Sequence, residues 1–438
     1  MQKKVEWYLD FVDSSYKPSK DELIALFYFE PAKGISANEA MGRIASESST
    51  GTWTTLFTMP PRMRKLMAHA YSREGSFVKV AYPLDLWEEG NAPQLLSGIA
   101  GNIFGMKALD NLRLIDIQFP KAYIKHYPGP THGMHGIRKM MNVYNRPMLG
   151  AVPKPKIGFS DVEHAQIGFE TWMGGFDFVK DDENLTSTKF NNFDKRVRLL
   201  AKLRDKAEHA TGDIKDAYIN ITAETHQMEK RAKILHNYGF RHAMIDVVVA
   251  GNAAVQTLRN TLGDYKMAIH AHRAMHAVFD KNPKHGMTMY MLAKLMRMIG
   301  VDQIHSGTAV GKLVGTKHEV QDIAYTLRSH HVMIKNKVEE EKHHLLPQEW
   351  HLIKPAFPVT SGGLHPGLVP DLLKIFGDEC VMLVSGGIHG HPKGTRAGAM
   401  ATRQAIDAVH EGETLEQHAK FNPELREALD KWSHLRPV

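Results

Sequence analysis

The segment VKDDEN (179–184) places a lysine and two carboxylates side by side, a combination suited to chemistry. In an extended strand Lys180 and Asp182 project to one face and Asp181 to the other, while Glu183 follows where the strand turns into its loop. Two carboxylates suit a hard divalent cation, which takes oxygen ligands. A lysine ammonium would repel that cation, so two readings stand: a lysine–carboxylate salt bridge, or a lysine carbamylated by CO2 into a third anionic oxygen ligand. An ordinary lysine pKa of about 10.4 leaves little neutral amine near neutrality. The cations Lys154 and Lys156 of VPKPK (152–156) would lower it.

Other segments point to anions. TSGGLHPG (360–367) and VSGGIHGHPKG (384–394) are glycine-rich turns, in which Ser361, Gly362, Gly363, Ser385, Gly386 and Gly387 let backbone N–H groups converge on a phosphate. Arg273 and His305 are plausible contacts for a second phosphate. His270, His272 and His276 have the composition of a zinc cluster, but strand geometry separates His276. GTAVGKL (307–313) superficially suggests a P-loop, yet its glycine spacing is one residue short and Leu313 replaces the Ser/Thr. It reads instead as a mobile lid carrying Lys312.

These residues are scattered from 154 to 387, so the fold must gather them. Beyond a Gly/Pro/His-rich loop at 125–136 run eight strand candidates: PMLGAV, FDFV, AYINI, AMIDVVV, MAIHA, DQIH, AFPVT and VMLV. Helices separate them. In SDVEHAQIGFETWMGG, Ser160 and Glu163 have capping-box spacing and Val162, Phe169 and Trp172 form an apolar stripe. In FDKRVRLLAKLRDKAEHATG the stripe is Val197, Leu200, Ala201 and Ala207, closed by Gly212. This alternation predicts an α/β fold, a (β/α)8 TIM barrel with C-terminal helices over 130–438, with a doubly wound open sheet as the alternative. In such a barrel the reacting groups lie where strands end, as do Lys154, Lys180, Asn220, His272, His305 and both glycine turns. Residues 1–129 read as a smaller α+β domain, with strands in DELIALFYFEP, SFVKVAYPLDLW and RLIDIQFP and a helix in ANEAMGRIASESS. GMTMYMLAKLMRMIG reads as a buried helix and RSHHVMIKNKVEEEKHHLLPQEW as a solvated helix with its flanks.

Composition narrows the class. The 438 residues carry 55 Lys+Arg against 48 Asp+Glu, and 43% are apolar, a soluble globular mixture that excludes wholesale disorder. No apolar run crosses a bilayer, the N-terminus lacks a signal-peptide core, and a single cysteine, Cys380, excludes an internal disulfide framework. The basic residues are dispersed among acidic ones, which argues against nucleic acid and suits a small polyanionic substrate. The expectation is a cytoplasmic enzyme with no membrane partner.

Seven segments, SESSTGTWTT (46–55), GNIFGMK (101–107), VPKPK, GGFDFVKDDEN (174–184), HAHRAMHAV (270–278), IHSGTAVGKL (304–313) and TSGGLHPG, together resemble the large subunit of ribulose-1,5-bisphosphate carboxylase/oxygenase (RuBisCO), in order from near residue 20 onward. VPKPK, SGGLHPG and the early stop after the barrel resemble the archaeal form III group, which needs no small subunit. The resemblance implies that CO2, or O2 in a side reaction, adds to the Mg2+-bound enediolate of ribulose-1,5-bisphosphate, the carboxylated product being cleaved to 3-phosphoglycerate. It implies a carbamylated Lys180 that holds Mg2+ with Asp182 and Glu183 and takes the C3 proton. Lys154 would be the acid–base at that step and protonate the final carbanion, supported by Lys156; His272 would assist proton transfer, and Lys312 would stabilise the new carboxylate. Thr52, Trp53, Gly363, Gly386 and Gly387 would hold one phosphate, Arg273 and His305 the other, and Ser361 would contact the substrate. Glu47 and Asn102 would reach in from the partner subunit of a homodimer, alone or in a higher assembly of dimers. Ser385 stands where the family usually has the first glycine of a GGG turn, and would crowd or supplement the phosphate pocket. A RuBisCO-like enolase or tautomerase acting on another phosphorylated sugar is the related reading. Such proteins usually lose the lid lysine or the phosphate contacts, whereas Lys312, Lys154, Arg273 and His305 are all present. The sequence leaves open nucleotide salvage or carbon fixation as the pathway.

Overall fold

The computed structural model describes residues 6–54, 60–310, 316–333, 344–432 and 435. They form two compact units: Met1–Gly129 with Met275–Ile299 and Ser329–Ile353, and Pro130–Ala274 with Gly300–Arg328 and Lys354–Val438.

In the first unit β1 (Leu23–Pro31), β2 (His69–Glu74), β3 (Phe77–Tyr82) and β4 (Leu109–Gln118) form an antiparallel sheet in the order β4-β1-β3-β2, and Gly286–Met287 joins β4 in parallel. The apolar runs predict β1, β3 and β4 but not β2, a largely polar edge strand in which Ala70 alone is buried. Helix Ala37–Glu47 starts at Ser36, whose side chain accepts from the Glu39 N–H. The Met-rich helix Met289–Ile299 is buried along its whole length and belongs to this unit. Its Lys294 Nζ lies 2.7 Å from Asp116 Oδ1 of β4, a fully buried ion pair. At the flanks of the expected solvated helix His331–Val332 pairs antiparallel with Gln348–Glu349, and its centre, 334–343, lies outside the described residues.

The second unit is the barrel. Its strands are β5 (Met148–Ala151), β6 (Phe178–Lys180), β7 (Asp216–Tyr218), β8 (His242–Asp246), β9 (Ala268–His272), β10 (Gln303–His305), β11 (Phe357–Ser361) and β12 (Val381–Leu383), one from each predicted run. They pair in parallel in the order β7-β6-β5-β12-β11-β10-β9-β8. The ring closes between β7 and β8, where Ile221 N–H donates to Met244 O at 3.0 Å and Met244 N–H to Ile219 O at 2.9 Å. Both faces of these strands are buried, which is why they read as continuous apolar runs. Met148, Phe178, Tyr218, Met244, Val359 and Val381 share one core, which helix Gly133–Met141 completes with Met134 and Ile137.

Two local expectations need correction. The run AMIDVVV ends its strand at Asp246, and Val247–Ala250 turns into a short helix. Val162 is 61% exposed; helix Asp161–Met173 buries Ala165, Phe169 and Trp172 instead. The capping box of Ser160 and Glu163 forms as expected, and Gly212 ends Phe193–Thr211 in the left-handed conformation. No helix among the described residues is long and apolar enough to cross a membrane.

Candidate active site

The carboxyl ends of the barrel strands place the predicted polar residues together. Lys180, the last residue of β6, is 1% exposed, and its Nζ donates to Asp181 O at 2.8 Å. Burial holds its ammonium below the ordinary lysine value, against the opposing pull of Glu183, Asp246, Asp182 and Asp181. Burial is therefore the largest influence favouring a neutral amine here. The salt-bridge alternative takes a different form from the one expected. The carboxylates pair with the other two lysines: Lys154 Nζ lies 3.3 Å from Asp182 Oδ2, and Lys156 Nζ 3.9 Å from Glu183 Oε1.

Asp181 points the other way, as the alternation of a strand requires. It lies 3.0 Å from Arg196 Nη2 and 3.1 Å from His164 Nε2 and accepts from the Asn220 N–H at 3.0 Å, anchoring β6. Burial pushes the Asp182 carboxyl up, but the Asn184 N–H, Lys154 and Lys180 outweigh it and keep it below the ordinary value. Asp182 and Glu183 are hard oxygen donors whose cationic neighbours sit at 3.3 Å or more. That set fits Mg2+ if a third anionic oxygen joins it, and a carbamate on Lys180 supplies one where an ammonium would not.

His272, at the end of β9, has Nδ1 2.7 Å from Asp246 Oδ1 and Nε2 3.8 Å from Glu183 Oε2. A carboxylate only accepts, so the Nδ1–H faces Asp246 and the Nε2 lone pair is left toward Glu183. Burial, with Lys180 adding to it, keeps the ring below the usual histidine range despite Asp246. Asn220 Nδ2 reaches Glu183 O at 3.2 Å and Asp246 Oδ2 at 3.5 Å. Asp246 is a site residue the sequence reading missed: it lies inside an apolar run, and a lone carboxylate interrupting such a run was the available signal.

His305 is buried; its Nδ1 lies 2.8 Å from Ser361 Oγ and its Nε2 3.1 Å from His270 Nε2. Both ring nitrogens are thus engaged by protein groups. Arg273 is also buried. Gly362 and Gly363 adopt φ of +111° and +74°, conformations that favour glycine. A Cβ on Gly387 would stand 2.4 Å from His365 Cα, so the second turn packs against the first. Ser385 does not crowd this turn: its Oγ accepts from the Val152 N–H at 3.0 Å, tying the end of β12 to the chain just before Lys154.

The remaining predicted residues lie elsewhere. Glu47, Thr52, Trp53 and Asn102 belong to the first unit, and Glu47, Trp53 and Asn102 are exposed. Lys312 lies outside the described residues. Among the described residues no three-donor cluster includes His270, His272 or His276; Glu411, Glu413 and His418, after the last barrel helix, form one, with both carboxylates exposed.

Residues 133–432 match the catalytic-domain model of the ribulose bisphosphate carboxylase large chain, and residues 10–123 its N-terminal-domain model. The chain is 52% identical over 438 residues to the ribulose bisphosphate carboxylase of Pyrococcus abyssi, covering 99% of both chains. An octameric RuBisCO from Pyrococcus horikoshii, solved with sulfate, superposes with a TM-score of 0.89 at 52% identity, over 98% of this chain and 97% of that one. A dimeric archaeal RuBisCO from Hyperthermus butylicus superposes with a TM-score of 0.92 at 46% identity, over 98% of this chain and all of that one.

Proposed function

The chain belongs to the ribulose bisphosphate carboxylase large-chain family, and from that premise we propose how its own residues carboxylate ribulose-1,5-bisphosphate. The observation that carries the reading is the gathering of Lys180, Asp182 and Glu183 with Lys154 and the His272–Asp246 pair at the end of the barrel strands. Asp182, Glu183 and a carbamate on Lys180 would hold Mg2+, which when bound supplies positive charge against the negative oxygens of the enediolate. Lys180, once carbamylated, would supply the base for the C3 proton. Lys154, beside Asp182, serves as acid–base at that step, with Lys156 supporting it. CO2 then adds at C2 and water at C3, the C2–C3 bond breaks, and Lys154 protonates the resulting carbanion. His272 accepts a proton at Nε2, because Asp246 holds the other nitrogen as a donor.

The glycine turns and Thr52 and Trp53 bind one phosphate; Arg273 and His305 flank the other, and Ser361 contacts the substrate. Lys312 closes over the new carboxylate. We place the functional boundary at 129/130, between the segments the two family models match. We further propose a form III enzyme that works as a homodimer, or an assembly of dimers, without a small subunit, each barrel receiving Glu47 and Asn102 from the partner subunit. Trp53, 79% exposed in the single chain, supports such covering.

Carboxylation of ribulose-1,5-bisphosphate with labelled bicarbonate and Mg2+ tests the reading. Enzyme stripped of CO2 is expected to show a lag that preincubation with CO2 and Mg2+ removes, and Lys180→Ala to abolish turnover. A full initial rate in stripped enzyme would refute the carbamate. Isomerisation of a phosphorylated sugar without carbon fixation would point to the enolase or tautomerase reading instead.

A further inference from the structure

A chain of buried polar side chains runs inward from Ser361, and the mechanism above uses only its outer end. Ser361 Oγ lies 2.8 Å from His305 Nδ1, His305 Nε2 lies 3.1 Å from His270 Nε2, and His270 Nδ1 lies 2.9 Å from Gln303 Oε1. His270 and Gln303 are fully buried and His305 is 3% exposed. Burial holds both imidazoles well below the usual histidine range, so both are neutral.

A neutral imidazole carries one N–H and one lone pair. Two Nε2 atoms facing each other at hydrogen-bond distance share a single proton, so the pair has two arrangements and its ends choose between them. At the inner end Gln303 turns its carboxamide oxygen to His270 and leaves its own Nε2 without a hydrogen-bond partner among the described residues. The oxygen only accepts, which puts the His270 proton on Nδ1 and leaves the His270 Nε2 as an acceptor. His305 must then donate from Nε2 and accept at Nδ1, and the proton in that last bond must come from the Ser361 hydroxyl.

We propose that Gln303 is a positioning residue: it sets the direction of the Gln303–His270–His305–Ser361 chain, so that Ser361 presents oxygen lone pairs, and no proton, to the substrate. Ser361 then accepts from a substrate hydroxyl and discriminates against a carbonyl or phosphate oxygen at that place. In the reverse direction His305 would donate to Ser361, whose own O–H would be available to an oxo group. The inference rests on reading Ser361 as a substrate contact, and it adds a selection for a hydroxyl donor set three side chains deeper.

Neutron diffraction from deuterium-exchanged crystals of the unmodified protein reads the direction without any variant. Deuterons are expected on His270 Nδ1 and His305 Nε2, with none on His305 Nδ1; a deuteron on His305 Nδ1 would overturn the proposal. The functional half is a double-mutant cycle on kcat/KM for ribulose-1,5-bisphosphate. Gln303→Met, which removes the acceptor at similar length, is expected to cost about five- to tenfold, mainly in KM. In a Ser361→Ala background the same change is expected to cost less than about twofold, because the group it orients is gone. Equal costs in both backgrounds would show that Gln303 acts through general packing and would sink the positioning role. A wild type without carboxylase activity would refute the functional reading and leave the deuteron placement as a separate result.

Discussion

Asp246 gives His272 its orientation and its tautomer, and the two effects can be separated. Asp246→Asn keeps the shape but replaces an obligate acceptor with a group that can also donate. A hydrogen bond to a charged group contributes about 1.5–3 kcal/mol, so kcat is expected to fall at least about tenfold with little change in KM. Steady-state kinetics check this, and an equal rise in KM would mean that Asp246 shapes the pocket instead. His389 reports on stability. Burial lowers its pKa from 6.5 to about 4, and its Nδ1 lies 3.0 Å from Thr395 Oγ1. Above pH 6.5 neither folded nor unfolded chain protonates it. Between 6.5 and 4 the unfolded chain takes up a proton that the folded one excludes, so stability falls as the pH falls. The loss from this residue between pH 7 and pH 5 is about 2 kcal/mol. His389→Gln should remove that share of the acid sensitivity, read as a smaller shift in urea-unfolding free energy between the two pH values.

Caps and turns fix the elements that carry these residues. Ser160 Oγ accepts from the Glu163 N–H at 3.3 Å, and Glu163 Oε2 accepts from the Ser160 N–H at 2.9 Å. Ser160→Ala is expected to cost about 1 kcal/mol, measured by denaturant titration, with kcat unchanged. Gly387→Ala is more disruptive because the new Cβ would meet backbone, His365 Cα at 2.4 Å and Leu364 O at 2.6 Å. The two glycine turns would have to separate, and the KM for ribulose-1,5-bisphosphate is expected to rise by about tenfold or more, overpacking of this kind costing about 1–3 kcal/mol. Such local devices were legible in the sequence: a strand buried on both faces is a run of apolar residues, and a capping box is a fixed spacing. What escaped it depends on partners distant in the chain. Met289–Ile299 is apolar except for Tyr290, Lys294 and Arg297, so its pattern shows burial but not that Lys294 meets Asp116. Edge strand β2 has almost no apolar signature. Val162 has the right spacing for the core yet lies on the outer side of its helix. The direction in which Ser385 turns, toward Val152, depends on a strand more than two hundred residues earlier in the sequence.

At the scale of the molecule, sharing of sites between subunits makes an unequivocal prediction. Lys180→Ala and Glu47→Ala chains are each expected to be nearly inactive alone. In a mixed dimer, one site joins the intact Lys180 of one chain to the intact Glu47 of the other, and the second site carries both lesions. Differently tagged chains, coexpressed and doubly purified, should therefore recover carboxylation at one of two sites; no recovery would refute sharing. The closure of the barrel bears on its motion. Seven neighbouring strand pairs share ladders, whereas β7 and β8 are joined beyond the end of β7 by the backbone bonds of Ile221 and Met244. Asn220 spans the same joint, reaching Glu183 O from one side and Asp246 from the other. A cylinder opens first at its thinnest seam, so the Ile221 and Met244 amides should exchange with deuterated solvent before those of β12. That seam borders the carboxylates, so occupancy of the site should slow exchange there more than anywhere else in the barrel, making isotope uptake at two amides a gauge of how firmly the ring is shut.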